Sequence, residues 1–187
     1  FDKVLDIEWC YLQDEPSNAI RLSVRDYAIK NDLSFFDLRA QTGFLRTLMV
    51  RITTTGQVMV VVVFAHDNPA KSENHDARLR LMEHIKKSFP GITSLQYIIN
   101  TKKNDSFADL PVVPYTGNAY ITERMENLEF RIGPKSFYQT NSRQAYRLYD
   151  KVREMAQLNP SQHVYDLYTG TGTIALFLSG LCRRVTG

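Results

Sequence analysis

The stretch Asp-Leu-Tyr-Thr-Gly-Thr-Gly-Thr-Ile-Ala, residues 166–175, is where residue types and spacing most clearly suggest chemistry. Gly170-Thr171-Gly172-Thr173-Ile174-Ala175 matches G-x-G-x-x-A, the spacing of a turn that brings backbone close to a nucleotide. Glycine permits the tight turn, and the helix that follows opens with free N–H groups and positive potential. Two ligand classes suit such a turn. A dinucleotide calls for an acidic residue about 20 positions further on, to hold the ribose hydroxyls. That position lies at or beyond Gly187, so the test cannot be applied. S-adenosylmethionine carries a cationic amino group and a sulfonium instead, and Asp166, four residues before Gly170, places an acid where it suits those charges. The turn alone does not separate methyltransferases from dehydrogenases. Cys10 and Cys182 are the only cysteines; they fit a reducing cytoplasm and form neither a disulfide framework nor a self-contained metal site.

A strand over His163 to Tyr168 and a helix ending at Gly180 must hold this turn. Upstream, hydrophobic periodicity predicts a helix over 17–30, with Ile20, Val24, Tyr27 and Ala28 inward and Ser17 as cap. Arg21, Arg25 and Lys30 fall on its other face, which reads as solvated before it reads as a nucleic-acid surface. Leu45 to Thr53 and Gln57 to Ala65 pair as a hairpin through Thr55-Gly56. A second helix over 73–89 buries Ala77, Leu81, Met82, Ile85 and Phe89, and Leu95 to Asn100 forms a strand. Tyr120 to Arg124 and Leu128 to Ile132 make a half-buried hairpin joined by Met125-Glu126-Asn127. A third helix over 142–157 turns Ala145, Leu148, Tyr149, Val152 and Ala156 inward, with Asn141 as N-cap and Asn159-Pro160 ending it. Residues 1–133 therefore form one central α+β domain, and 134–187 begin another.

The composition bounds the rest. Of 187 residues, 43% are hydrophobic, ordinary for a globular chain. The longest apolar run, Val58 to Ala65, is too short to cross a bilayer, and no signal peptide is evident, so no membrane partner is expected. A net charge of +3 and a pI near 8.8 permit RNA binding without demanding it. The chain begins at Phe1, which implies a cut N-terminus.

"FRIGPKSFYQTNSRQAYRLYDKV", Phe130 to Val152, followed by "VYDLYTGTGTIAL", resembles the RNA uracil-5 methyltransferase family, the 23S rRNA branch more closely than the tRNA branch. There a hairpin leads to S-F-x-Q-x-N, a helix, and D-L-Y-x-G-x-G. "GFLRTLMVRITTTGQVMVVVVF" is similar to the family's central-domain hairpin. The resemblance implies an α/β chain: a central α+β domain, then the first βα unit of a Rossmann-like S-adenosylmethionine-dependent domain. It implies RNA, most of all 23S rRNA, as partner and 5-methyluridine as product. By the same resemblance Gln139, Tyr168, Gly170 and Thr173 hold S-adenosylmethionine. Phe137, Gln139 and Asn141 share one side of an extended segment, so Phe137 packs while Asn141 caps. Cys10, in "DIEWCYLQ", stands where some ribosomal-RNA members place the fourth ligand of a 4Fe-4S cluster in the intact protein. A cubane needs four ligands, so this chain alone is not expected to carry one.

The implied reaction needs more than these residues. Uracil C5 is a poor nucleophile; a thiolate must add to C6, and a base must later remove the C5 proton. The family places that cysteine and base well after the glycine turn. No catalytic residue is therefore expected here, and Cys182 reads as structural. One βα unit is also far short of a doubly wound sheet, so the chain is expected to be an inactive fragment of a longer cytoplasmic enzyme. Its last helix is then expected to dock on the central domain, to pair between chains or to fray. The rival readings are a nicotinamide-dependent oxidoreductase fragment and a non-catalytic RNA-binding module using Arg21, Arg25, Arg46 and Arg51.

Overall fold

The computed structural model describes residues 5–66 and 72–187. They form two compact units. The first comprises the chain up to Ile52 together with Val58–Ala119; the second comprises Thr53–Gln57 and Tyr120–Gly187. This division places the second hairpin with the C-terminal unit, ahead of the boundary at 133/134 read from the sequence pattern.

The first unit holds α1 (Ser17–Lys30), β1 (Leu45–Ile52), β2 (Val58–Phe64), α2 (Ser72–Ser88), β3 (Ser94–Ile99) and β4 (Val112–Gly117). The sheet order is β1-β2-β3-β4. β1 and β2 are antiparallel, β2 and β3 parallel across α2, and β3 and β4 antiparallel. Every residue of β2 is buried, as its unbroken β-branched run requires of an interior strand. Ile20, Val24 and Ala28 of α1 and Leu81, Met82 and Ile85 of α2 join Val58, Val60, Val62, Phe64 and Leu95 in one core. Ser17 is not the cap of α1. It lies inside the first turn, buried; Pro16 takes the cap position and no side chain caps there. Glu15 supplies a weak substitute, accepting from the Ala19 N–H at 3.4 Å.

The arginines that motivated an RNA-binding reading of this unit have internal partners. Arg46 donates to the Asn100, Lys102 and Asn104 carbonyls at 2.9, 2.6 and 2.8 Å and pairs with Asp105 at 3.0 Å. Arg25 pairs with Asp6 and Asp26, and Arg21 donates to the Glu8 carbonyl. Burial lowers the Arg51 pKa.

The second unit holds β5 (Ile121–Met125), β6 (Leu128–Ile132), α3 (Ser142–Ala156), β7 (His163–Tyr165), α4 (Thr173–Leu178), a 3₁₀ turn (Ser179–Leu181) and β8 (Arg184–Thr186). β5 and β6 form an antiparallel hairpin, and Met125 belongs to its strand, paired with Leu128. β7 is shorter than its pattern suggested and pairs parallel with β8. Met125, Phe130, Ala145, Tyr149, Phe177 and Leu178 make the core of this unit. The last helix packs against the hairpin and α3 in this unit. Asn141 caps α3 as expected, accepting from the Gln144 N–H at 3.0 Å. Leu148, expected inward, is 57% exposed, and Ala156 is exposed too; the covered stripe is narrower than the apolar pattern.

One buried carboxyl group organises this unit. Glu123 is 1% exposed. Its oxygens accept from the Thr54 N–H at 3.2 and 3.1 Å, the Thr54 hydroxyl, the Arg124 N–H at 2.9 Å and the Ser142 hydroxyl at 2.8 Å. Two of these partners are backbone N–H groups, which can only donate, and two are hydroxyls.

Candidate functional site

The glycine turn is built by backbone conformations that side chains resist. Gly170 and Gly172 have φ of +56° and +75°. A Cβ at Gly170 would meet only the Tyr168 carbonyl, at 3.9 Å, so glycine is needed there for its conformation rather than for space. The Gly172 N–H donates to the Thr169 carbonyl at 2.8 Å and closes the turn. Asp166 braces it from inside: one carboxyl oxygen accepts from the Thr169 hydroxyl at 3.0 Å and from the Ala175 N–H at 3.1 Å. Thr171 reaches outward, donating to the Phe137 carbonyl at 3.4 Å, which ties the turn to the extended segment before α3.

These contacts enclose a depression of about 150 Å³. Gln139, Tyr168, Gly170 and Thr173 all line it, with Asp166 and Tyr149. The four residues singled out in the sequence, from two segments about thirty positions apart, are thus brought together. Gln139 is exposed and its amide makes no hydrogen bond among the described residues. Tyr168 is fully exposed, at φ +64°, a conformation a side chain seldom adopts unless its surroundings hold it there. Thr173 is buried, its hydroxyl 2.9 Å from that of Thr171. Tyr149 lies at the margin; burial, and next the charge of Asp166, raise its pKa and keep it a neutral phenol.

Phe137 does not pack as expected: it is 71% exposed. Tyr138 packs instead, its ring 6.0 Å from Phe130, and its buried hydroxyl has no hydrogen-bond partner among the described residues. Burial, with the charge of Glu123 next, pushes the Tyr138 pKa far up. Thr171 was missed; the only signal was a hydroxyl between the two glycines.

Cys10 is half-buried in the first unit. Its N–H donates to Asn18 Oδ1 at 3.0 Å and its carbonyl accepts from Asn18 Nδ2 at 3.2 Å, which fixes the backbone beside the thiol. Cys182 is half-buried as well, with Sγ 3.5 Å from the Arg184 carbonyl and 3.7 Å from that of Leu178. Among the described residues, no group of three or more His, Cys, Asp or Glu side chains is arranged to hold a metal. No described helix is long and apolar enough to cross a membrane.

No protein-family model matches the chain. Its sequence is 54% identical, over its whole length, to a Porphyromonas gingivalis protein named an uncharacterized RNA methyltransferase, and spans 39% of that protein. A Bacteroides thetaiotaomicron protein of the same description is 53% identical over the whole chain, which spans 40% of it. The chain is a relative of RNA methyltransferases. It spans about two fifths of the length of these relatives. A more distant relative in Chlorobaculum tepidum, also named an RNA methyltransferase, is 36% identical over the whole chain and matches over 38% of its own length. Among solved structures, the Pyrococcus abyssi tRNA (uracil-54, C5)-methyltransferase in complex with S-adenosyl-L-homocysteine superposes with a TM-score of 0.73. That match covers 95% of this chain and 41% of the other, at 24% identity. The fold class expected from the sequence, a mixed α/β chain whose α+β portion leads into a Rossmann-like βα unit, is that of the chain.

Proposed function

We propose that the chain is part of an S-adenosylmethionine-dependent RNA methyltransferase that converts uridine to 5-methyluridine, with 23S rRNA as its substrate. One observation carries the reading: Gln139, Tyr168, Gly170 and Thr173 line a single depression braced by Asp166. The groups on offer suit the cofactor. Gln139 presents a free amide, Tyr168 an open ring face, and the second oxygen of Asp166 accepts no hydrogen bond among the described residues. An amide hydrogen-bonds the amino-acid end, a carboxylate attracts its ammonium, and an aromatic face receives a flat or cationic group. The depression is smaller than the roughly 300 Å³ at which whole-ligand pockets begin, so these residues form one wall of the site. S-adenosylmethionine supplies an electrophilic methyl group. Gln139 and Asp166 orient it, and Gly170 lets the backbone come close.

Methyl transfer to C5 further requires a cysteine thiolate at C6 and a base for the C5 proton. Cys182 is turned toward two carbonyls, and in this reading, which follows the family resemblance, the thiolate comes from outside the chain. The chain's two cysteines do not by themselves fit a 4Fe-4S cluster; Cys10 would be one ligand among others supplied elsewhere.

The test uses protein expressed from the complete gene, with 23S rRNA fragments carrying 5-fluorouridine and labelled S-adenosylmethionine. Fluorine cannot leave as a proton does. The proposal predicts a labelled protein–RNA adduct that survives a denaturing gel; labelled RNA released without an adduct would place the methyl group on another atom.

A further inference from the structure

The arginines of the second unit differ from those of the first. α3 carries Arg143 and Arg147 four residues apart, hence on one face, about 5–6 Å between Cβ atoms. Arg124, at the end of β5, stands beside them. Together with Tyr146, Met125 and Thr54 they line a groove of about 560 Å³ within this unit. Arg143 and Arg147 make no hydrogen bond or ion pair among the described residues. Arg124 commits only Nε, to the Glu126 carbonyl at 3.2 Å.

The acid in the groove is already engaged. Glu126 accepts from Arg153 at 3.0 and 3.1 Å and from the Tyr146 hydroxyl at 2.9 Å. Asp150 is held by Arg153 at 2.6 Å. Glu129 lies opposite Arg124 across the hairpin, and Glu123 is buried beneath the groove, accepting from Thr54, Arg124 and Ser142. Of the residues that line the groove, three are arginines and one is an acid, so the exposed lining is positive. The arrangement works against the helix: Arg143 stands in the first turn of α3, where the macrodipole disfavours cations and no acidic residue compensates. Like charges at i and i+4 add repulsion. Folding alone does not call for these guanidiniums, whereas a polyanion does.

We propose that this groove binds the phosphate backbone of a single RNA strand, Arg143 and Arg147 taking neighbouring phosphates and Arg124 a third, with Tyr146 offering a ring edge to a base. The proposal rests on the reading of the protein as an RNA methyltransferase. Planar, forked guanidinium groups pair with phosphate oxygens two at a time, which suits the occupant. The groove is separate from the depression at the glycine turn; the two share no lining residue.

The test is fluorescence anisotropy of a labelled single-stranded RNA oligonucleotide titrated with the chain over a series of salt concentrations. The variants are Arg143→Ala/Arg147→Ala, the charge reversal Arg143→Glu/Arg147→Glu, and Lys151→Ala as a control on the same helix. Both arginines are exposed, so circular dichroism is expected to be unchanged. Losing two phosphate contacts lowers the slope of log K against log salt by about 1.4. The Ala pair is expected to bind at least roughly tenfold more weakly whatever the RNA sequence, and the Glu pair more weakly still. Tight wild-type binding with slopes equal to the Lys151 control would overturn the groove and leave the RNA reading standing. No RNA binding by the wild type would overturn the groove, while the RNA methyltransferase reading would fall only if protein from the complete gene also failed to bind RNA.

Discussion

Glu123→Ala is expected to loosen the second unit more than any other single substitution of a polar residue. The carboxylate is 1% exposed and accepts from Thr54, Arg124 and Ser142. Truncation strands the Thr54 and Arg124 N–H groups and removes two hydroxyl bonds. A stranded buried donor costs about 1–3 kcal/mol. Thr54 and Arg124 are themselves exposed, so water relieves part of that. A total of about 2–4 kcal/mol remains. In a chain of this size, at about 2–4 °C per kcal/mol, the midpoint falls by roughly 5–15 °C. Glu123→Gln keeps one acceptor and turns an NH₂ toward donors, so it is expected to fall between wild type and Ala. The assay is thermal melting by circular dichroism together with hydrogen exchange at the Thr54 and Arg124 amides, which should exchange faster in both variants. A double-mutant cycle with Ser142→Ala isolates one bond and should return a coupling of about 1 kcal/mol. A loss below about 1 kcal/mol for Glu123→Ala, or a coupling of zero, would refute the argument that this carboxylate fastens the hairpin turn to α3.

Tyr115 of β4 gives a pH dependence. Burial, and then its 2.9 Å bond to Glu83, push its pKa up to about 12. The folded state favours the neutral phenol, so this contribution to stability is whole below the ordinary value of about 10 and is lost as pH rises toward 12. Ultraviolet titration should show a set of late phenolates, because burial also raises Tyr138 and Tyr149, and Glu83→Gln should bring one of that set earlier. Arg46→Lys keeps the charge but not the fork that holds the Asn100, Lys102 and Asn104 carbonyls; proteolysis and hydrogen exchange over residues 100–106 should quicken, for a loss of about 2 kcal/mol. Asp166→Asn keeps one oxygen to accept from Thr169 and Ala175 but replaces the second, outward oxygen with an NH₂ and removes the charge; S-adenosylhomocysteine affinity measured by calorimetry should drop roughly tenfold or more, with the melting midpoint nearly unchanged.

Much of this was legible because local patterns agree with the tertiary outcome. The β-branched run of β2, the 3.6-residue stripes of α1 and α2 and the Asn141 cap each state in a few residues what the fold does with them. β4 was overlooked because Pro114 interrupts a short polar-flanked run; at the edge of the sheet a missing N–H is tolerated. The alternation of residues 137–141 showed which side chains share a side but not which side faces the core, so Phe137 was taken for the packer and Tyr138 does the packing. Leu148 failed for a related reason: the width of a covered stripe depends on the partner, and Phe177 and the hairpin cover only the line through Ala145 and Tyr149. Glu123 was invisible. In a strand it reads as an outward acid, and nothing near it in sequence announces donors 69 and 19 residues away. At the candidate site, the glycine spacing and Asp166 show in the local sequence, because a tight turn restricts residue types, whereas Gln139 and Tyr168 are singled out by the family resemblance alone; the structure places all of them around one depression.

The central claim is that the depression at the glycine turn receives S-adenosylmethionine. Titration of the ¹⁵N-labelled chain with S-adenosylhomocysteine, followed by amide chemical shifts, tests it most directly. The account predicts saturable shifts confined to residues 137–139 and 166–175, abolished by Gly170→Val, whose branched side chain resists a φ of +56°. Shifts absent at saturating ligand, or scattered elsewhere on the chain, would contradict it.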